Sequence, residues 1–309
     1  MAEEFKHFFV KGERIAMQTI DAHLITQFSD MLHVKSQQIR SRLRPHVQIK
    51  PMVGDLFAYD GLGQVEAREV VGRIVKTTFD DIDHNRRKIR RRRFVVTLPI
   101  DASDVRGTLT SPQGPYAEAS IRAMERQFDR VGVEAAFATV STGRDFDTDV
   151  TFANDGGLTV NATGGFTYEK LLEIRKNWRN NDVGNEIAEA MLLLITGTEE
   201  EAAMKETELT SGDFSRQYVV DQGEISKAVG LQFINYGASV PSPILSVTAG
   251  TRDCIAMTGK GLCYGLSKDM SVTLKDRSDY VETSQVQIIG ELGAVRTEGI
   301  LVQKVQTTA

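Results

Sequence analysis

The chain has 309 residues, of which 41% are hydrophobic and 26% charged, and its formal net charge is −5. These values describe a folded globular protein with enough length to bury a real core, and they exclude a disordered chain. No apolar run approaches bilayer length, since the most hydrophobic stretch, Ala190 to Thr196, stops well short. The start, Met1 to Lys6, lacks a basic region followed by an apolar one, so no signal peptide is expected. The two cysteines, Cys254 and Cys263, suit a reducing compartment better than a disulfide framework.

Residues 1–50 read as an N-terminal arm. Leu24, Ile25, Phe28, Met31, Leu32 and Val34 give Ala22 to Arg44 a broken helical spacing that Pro45 ends. A basic strap with Lys35, Arg40, Arg42, Arg44 and Lys50 accompanies it. Such a strap docks on something or stays mobile.

Residues 51–100 read as an extended loop built on a β-hairpin. One arm is Arg73 to Phe79, the turn is the polar cluster Asp80, Asp81, Ile82, Asp83, His84 and Asn85, and the return is Arg86 to Phe94. Two arms of about ten residues reach on the order of 30 Å. An isolated two-stranded hairpin is marginal in water, so something outside the chain is expected to hold it.

Residues 101–165 contain the strongest helical pattern. Ala117, Ile121, Met124, Phe128, Val131 and Ala135 recur at steps of four and three, with Pro115 near the first turn. A helix from Pro115 to Ala138 would be roughly 36 Å long, a spine. A Gly, Asp, Asn and Thr-rich connection follows.

A second lobe over residues 166–266 opens with a helix capped by Thr167, in which Leu171, Leu172, Ile174 and Trp178 face inward. Met191 to Thr196 reads as a buried strand, Glu199 to Glu206 as a short acidic helix, and Gly230 to Tyr236 as a half-buried strand. Return strands dominate residues 267–309. Helices and strands mix without regular alternation, so the fold class is α+β.

Catalytic and metal motifs are weak. Asp145, Asp147 and Asp149 open like a calcium loop, but Val150 stands where glycine is needed and Gly156 where a bidentate Glu should be. Gly259-Lys260-Gly261 lacks the upstream glycine and following hydroxyl of a phosphate loop. His7, His23, His33, His46 and His84 are scattered, and both cysteines read as small buried hydrophobes. No catalytic residue, cofactor or metal is assigned, and the chain is not read as an enzyme.

The run Arg86, Arg87, Lys88, Arg90, Arg91, Arg92 and Arg93 admits two functional readings beside a merely solvated face. It has charge enough for nucleic acid, but no interleaved aromatics for stacking. As a strand it points alternate side chains to opposite faces and would bind acidic protein on each. Protein contact is the preferred reading, with Asp80, Asp81 and Asp83 meeting a basic strap in return, and a nucleic-acid-binding protein is the alternative.

The segment order resembles the tailed-phage major capsid fold, with its N-arm, extended loop, peripheral domain and axial domain. Gly223 to Phe233 is similar to that family's approach to an axial-domain strand. Asp276 to Tyr280, Gln285 to Gln287 and Gly293 to Glu298 are similar to the closing peripheral-domain strands of podovirus-type capsid proteins. The resemblance covers essentially the whole chain. It implies a structural protein that self-assembles into pentamers and hexamers of an icosahedral virion shell, in the host cytoplasm, around packaged double-stranded DNA held without sequence specificity. A portal protein and no membrane belong to that picture. No long coiled-coil segment precedes the fold, so a separate scaffolding protein is expected.

Overall fold

The computed structural model describes residues 36–69, 76, 79–101, 113–184, 190–206, 225, 227–238, 243–277, 279 and 283–309. The strands are β1 (Gln48–Pro51), β2 (Leu56–Leu62), β3 (His84–Arg90), β4 (Arg92–Asp101), β5 (Val140–Thr142), β6 (Thr148–Val150), β7 (Leu158–Ala162), β8 (Met191–Thr196), β9 (Lys227–Ala228), β10 (Leu231–Tyr236), β11 (Val247–Thr248), β12 (Thr251–Thr258), β13 (Leu262–Arg277), β14 (Thr283–Arg296) and β15 (Val302–Thr308). The described helices are α1 (Gln113–Phe137), α2 (Tyr168–Asn180) and α3 (Gly197–Met204). The chain forms two compact units. The smaller takes 96–120 and 272–288, and the larger takes 37–95, 121–271 and 289–309.

In the larger unit the main sheet runs β7-β15-β12-β8-β10-β9, with β11 paired to β12. Its centre is β8, parallel to β10 and antiparallel to β12. All six β8 residues are buried, which explains their unbroken apolar run: a strand covered on both faces has no polar side. The side chains of α2 and α3 lie on one face of this sheet. There Trp178 Nε1 donates to the Ile300 carbonyl at 3.2 Å, and Gln303 Nε2 to the Ile174 carbonyl at 3.0 Å. The inward set Leu171, Ile174 and Trp178 is fully buried at steps of three and four, whereas Leu172, expected inward, is exposed on the outer face. On the opposite face Lys304 Nζ sits 4.5 Å from the centre of the Phe137 ring at the end of α1. One core joins these layers, from Phe128 and Val131 on α1 to Leu192, Leu194, Ile255 and Val305 on the sheet.

A second sheet in this unit has the order β2-β3-β5-β6 and is antiparallel throughout. A small core of Met52, Ile89, Val140, Cys263 and Val295 lies beneath it. A third sheet, ordered β1-β13-β14-β4, contributes residues to both units. In the smaller unit Ile100, Val286 and Ile288 are buried, and Arg277 Nη1 donates to Gln285 Oε1 at 2.9 Å.

Three expectations are corrected. The strand facing β3 is Leu56–Leu62, with Leu56 opposite Arg90 and Leu62 opposite His84, in place of the expected Arg73–Phe79. Of that expected arm, residues 73–75, 77 and 78 lie outside the described residues, as does the expected helix up to residue 35. The helical spacing also does not extend through 36–43, and Pro45 sits inside a 3₁₀ turn, Arg44–His46. The physical reason is a buried carboxylate. Asp129 of α1 accepts the backbone N–H groups of Arg42 (3.0 Å) and Leu43 (3.2 Å) and the Ser41 hydroxyl, which pins the strap to its own helix in a bent, irregular conformation.

Candidate assembly surface

Strand β3 carries the start of the basic run, and its alternation decides where each charge goes. Arg87 and Ile89 are buried while Arg86 and Arg90 are exposed, as period two requires. The run is not one strand, because Arg91 separates β3 from β4 and its N–H donates to the Asp55 carbonyl at 2.9 Å. Gly293 makes this crossing possible, since a Cβ there would overlap the Arg90 carbonyl.

Arg87 is 4% exposed and forks onto Asp155, with Nη1 2.8 Å from Oδ2 and Nη2 2.6 Å from Oδ1. Arg296, fully buried, reaches the same carboxylate through Nε at 2.8 Å. Its Nη1 donates to the carbonyls of Ala136 (2.8 Å) and Ala138 (3.1 Å), which places a cation on the orphan acceptors at the C-terminus of α1. Burial pushes the Asp155 pKa up, but the two guanidiniums more than offset it and hold it below the ordinary carboxylate range. The root of the basic strand is thus welded to its own body.

Most remaining charges of the run also meet carboxylates of the same chain. Arg86 pairs with Asp60 at 2.7 Å, Arg91 with Asp55 (2.5 Å) and Glu291 (3.0 Å), Arg92 with Glu134 (2.7 Å), and Arg93 with Glu291 (3.6 Å). These pairs are at least partly exposed, and each contributes roughly 0–1 kcal/mol. Lys88 lies over the Phe146 ring at 5.8 Å. Arg90 is exposed and, among the described residues, has no carboxylate partner. Asp80 pairs with Arg68, while Asp81 and Asp83 are exposed. The dense positive charge legible in the sequence is therefore largely neutralised inside one subunit. That weakens it as a nucleic-acid surface and shortens the set left for a neighbour.

Apolar exposure marks the same loop more sharply. Val53 is 94% exposed, Phe79 93%, Leu62 67% and Val65 53%. Leu62, Val65 and Phe79 lie at or beyond the end of the β2–β3 ladder where Leu62 is opposite His84, and Val53 precedes the other end, where Leu56 is opposite Arg90. Large exposed apolar side chains of this kind mark a candidate contact surface. Composition alone did not separate them from core residues.

A second buried network, missed in the sequence, lies at the start of α3. Glu199, 2% exposed, takes the Thr196 N–H at 2.9 Å, the Thr307 hydroxyl at 2.7 Å and Arg252 Nη1 at 2.7 Å. Burial alone would raise the Glu199 pKa, but these donors hold it low. The spacing Thr196-x-x-Glu199 is a helix-start signal, and Arg252 is 53 residues away, so only the fold brings them together.

The acidic loop Asp145, Asp147 and Asp149 is exposed, and Asp149 accepts the Ser141 hydroxyl at 2.8 Å. Among the described residues no three His, Cys, Asp or Glu side chains are grouped to hold a metal ion. Gly259, Lys260 and Gly261 form the turn between β12 and β13. No described helix is long and apolar enough to cross a membrane.

A family model described as phage capsid protein matches residues 20–308. No curated protein sequence matches the chain. Among solved structures, the capsid of cyanophage P-SCSP1u is 11% identical, covers 93% of this chain and 94% of its own, and superposes with a TM-score of 0.70. The capsid of Helicobacter pylori bacteriophage KHP30 is 10% identical, with 97% and 100% coverage and a TM-score of 0.70. A structure of Gordonia phage Cozz is 13% identical, with 99% coverage of both chains and a TM-score of 0.64.

Proposed function

Because this chain belongs to the phage capsid protein family, we propose that it is the major head protein of a tailed phage and that its extended loop is completed by a neighbouring subunit. The observation that carries the proposal is the exposure of Phe79 (93%), Leu62 (67%) and Val65 (53%) at the end of the β2–β3 pair away from Arg90, with β3 held to the body by Arg87 and Asp155. An anchored strand pair with uncovered apolar side chains at its far end is the arrangement an intersubunit clasp needs. Each copy then offers its loop to the next, and such head-to-tail contacts form rings when the rotation closes.

In this reading the subunits form hexamers and pentamers of an icosahedral shell around double-stranded DNA. Residues 166–266 are the axial domain around the local symmetry axis, and residues 101–165 with 267–309 form the peripheral domain. Arg86, Lys88, Arg90 and the exposed Asp81 and Asp83 are the charged contacts toward a neighbour, with Arg91, Arg92, Arg93 and Asp80 able to exchange their exposed partners. Arg87 is committed to Asp155 and serves as an anchor. A separate scaffolding protein and a portal protein complete the assembly, in the host cytoplasm.

Electron microscopy of the purified protein tests the proposal. Shells, rings or tubes are the expected result. Uniform small particles at every protein and salt concentration would overturn it.

A further inference from the structure

Strand β13 runs from Leu262 to Arg277, but β1 pairs with it only from Cys263 to Leu266. Among the described residues, 267–277 therefore form an open sheet edge, with β14 on the other side. The Leu266 carbonyl accepts the Met52 N–H at 3.0 Å on the β1 side, so the even-numbered residues that follow turn their backbone N–H and C=O groups outward. One of these, the Met270 N–H, donates to the Asp269 side chain at 2.8 Å in place of a strand. The same even-numbered residues share one face. Asp276 accepts the Ser284 hydroxyl at 2.7 Å, which sets Val272 and Leu274 on the face of the buried Val286 and Ile288. Yet Val272 is 48% exposed and Leu274 52%.

An apolar face that runs out to an open edge is a template for another strand. The opposite edge of this sheet, β4, is blunted by Pro99, which has no N–H to offer. The charges of 267–277 do not repel a second strand; they complement a second copy of themselves. Turned antiparallel about Val272, that copy places Lys268 opposite Asp276, Asp269 opposite Lys275, Met270 opposite Leu274, and Val272 opposite its own counterpart. All four charged side chains are exposed, and Lys268 and Lys275 have no carboxylate partner among the described residues. Asp269 meets Arg44 at 2.6 Å and would be shared. Sliding the copies by two residues puts Lys268 opposite Leu274, or Met270 opposite Asp276, and loses both Lys–Asp pairs. The register about Val272 also makes every outward N–H and C=O part of a hydrogen-bonded pair.

We propose that the β13 edges of two copies pair antiparallel across a two-fold axis at Val272, joining their sheets into one. The inference goes beyond the loop contact and stands without it. The loop contact is head-to-tail whereas this one is isologous, so the two together join one ring of subunits to the next.

Cross-linking of the full-length protein tests the register. V272C, oxidised with copper phenanthroline, is expected to give a disulfide-linked dimer, because hydrogen-bonded partners lie about 5.5 Å apart at Cα, within disulfide reach. L274C is expected to stay unlinked, since its counterpart stands four residues along the ladder, about 13 Å away. Both native cysteines are buried. K268D in the V272C background is expected to reduce linking severalfold by setting like charges opposite each other, and K268D/D276K to restore it. The proposal is overturned if V272C stays monomeric while its circular dichroism is native, whether the thiol reacts with maleimide or is shielded by another segment of its own chain. It is equally overturned if L274C links as readily, or if the charge swap does not restore linking. Microscopy reads the capsid assignment separately: linked V272C dimers without particles would defeat that assignment and support the strand pairing.

Discussion

Gly132 of α1 lies so close to the phenolic oxygen of Tyr264 that a Cβ at this position would overlap it. The Tyr264 hydroxyl donates to the Phe128 carbonyl at 3.2 Å, and the two rings stack at 4.2 Å with an interplanar angle of 4°. Gly132 is therefore the point where the spine helix meets β13. Gly132→Ala is expected to destabilise the subunit by about 2 kcal/mol through overpacking, despite alanine's better helix propensity. Denaturant unfolding measures it, and adding Tyr264→Phe should recover part of the stability. An Ala variant as stable as wild type would refute the packing account.

Asp155→Asn leaves two buried guanidiniums without their carboxylate, and a destabilisation of about 4 kcal/mol at neutral pH is expected. The sign of its pH dependence follows from the depressed folded pKa. The carboxylate's contribution is complete above the unfolded value of about 3.9 and is lost as pH falls through the lower folded value. The gap in melting temperature between wild type and Asp155→Asn should therefore be full at pH 7 and narrow below about pH 4. A gap independent of pH would show that the charge of Asp155 does not matter.

Glu199→Gln should follow the same pattern, because its folded pKa is also depressed. The variant removes the charge facing Arg252 while keeping a hydrogen-bonding side chain of similar size. A destabilisation of about 3 kcal/mol at pH 7 is expected, shrinking as pH drops below the carboxylate range. Thermal melts at neutral pH and at about pH 3.5 compare the two.

Reversing Arg90 and Arg92 together (R90E/R92E) tests the exposed half of the basic run. Arg92 and Glu134 are each 48% exposed, so their pairing contributes little to the fold. Circular dichroism should not change, while particle yield by microscopy should fall severalfold. Unfolding of the variant would place these side chains in the core instead.

Burial pushes the Cys254 thiol up to about 12 and the Cys263 thiol up to about 11. Neither is thiolate at neutral pH, so both should resist an aromatic disulfide reagent in the folded protein and react fully in denaturant. Rapid native labelling of either one would contradict its placement.

Much of this architecture was legible in the chain alone. The periodicity of Met124, Phe128, Val131 and Ala135 marks α1, whose expected start at Pro115 falls in the same turn as the observed Gln113, because a helix must turn its apolar stripe to the core. The unbroken Met191–Thr196 run marks the central strand for the parallel reason. Both signals are local and survive any arrangement of the rest.

Partnership is what no local pattern carries. The arginine run declared a strong charge, but its meaning depends on Asp55, Asp60, Glu134, Asp155 and Glu291, which tertiary folding brings to it from both sides in sequence. The strap looked helical, but Asp129, far along the chain, supplies acceptors for its N–H groups in an irregular, bent backbone. Side-chain period is written residue by residue and so belongs to the sequence; charge compensation and hydrogen-bond satisfaction are sums over neighbours in space, and only the folded subunit assigns them.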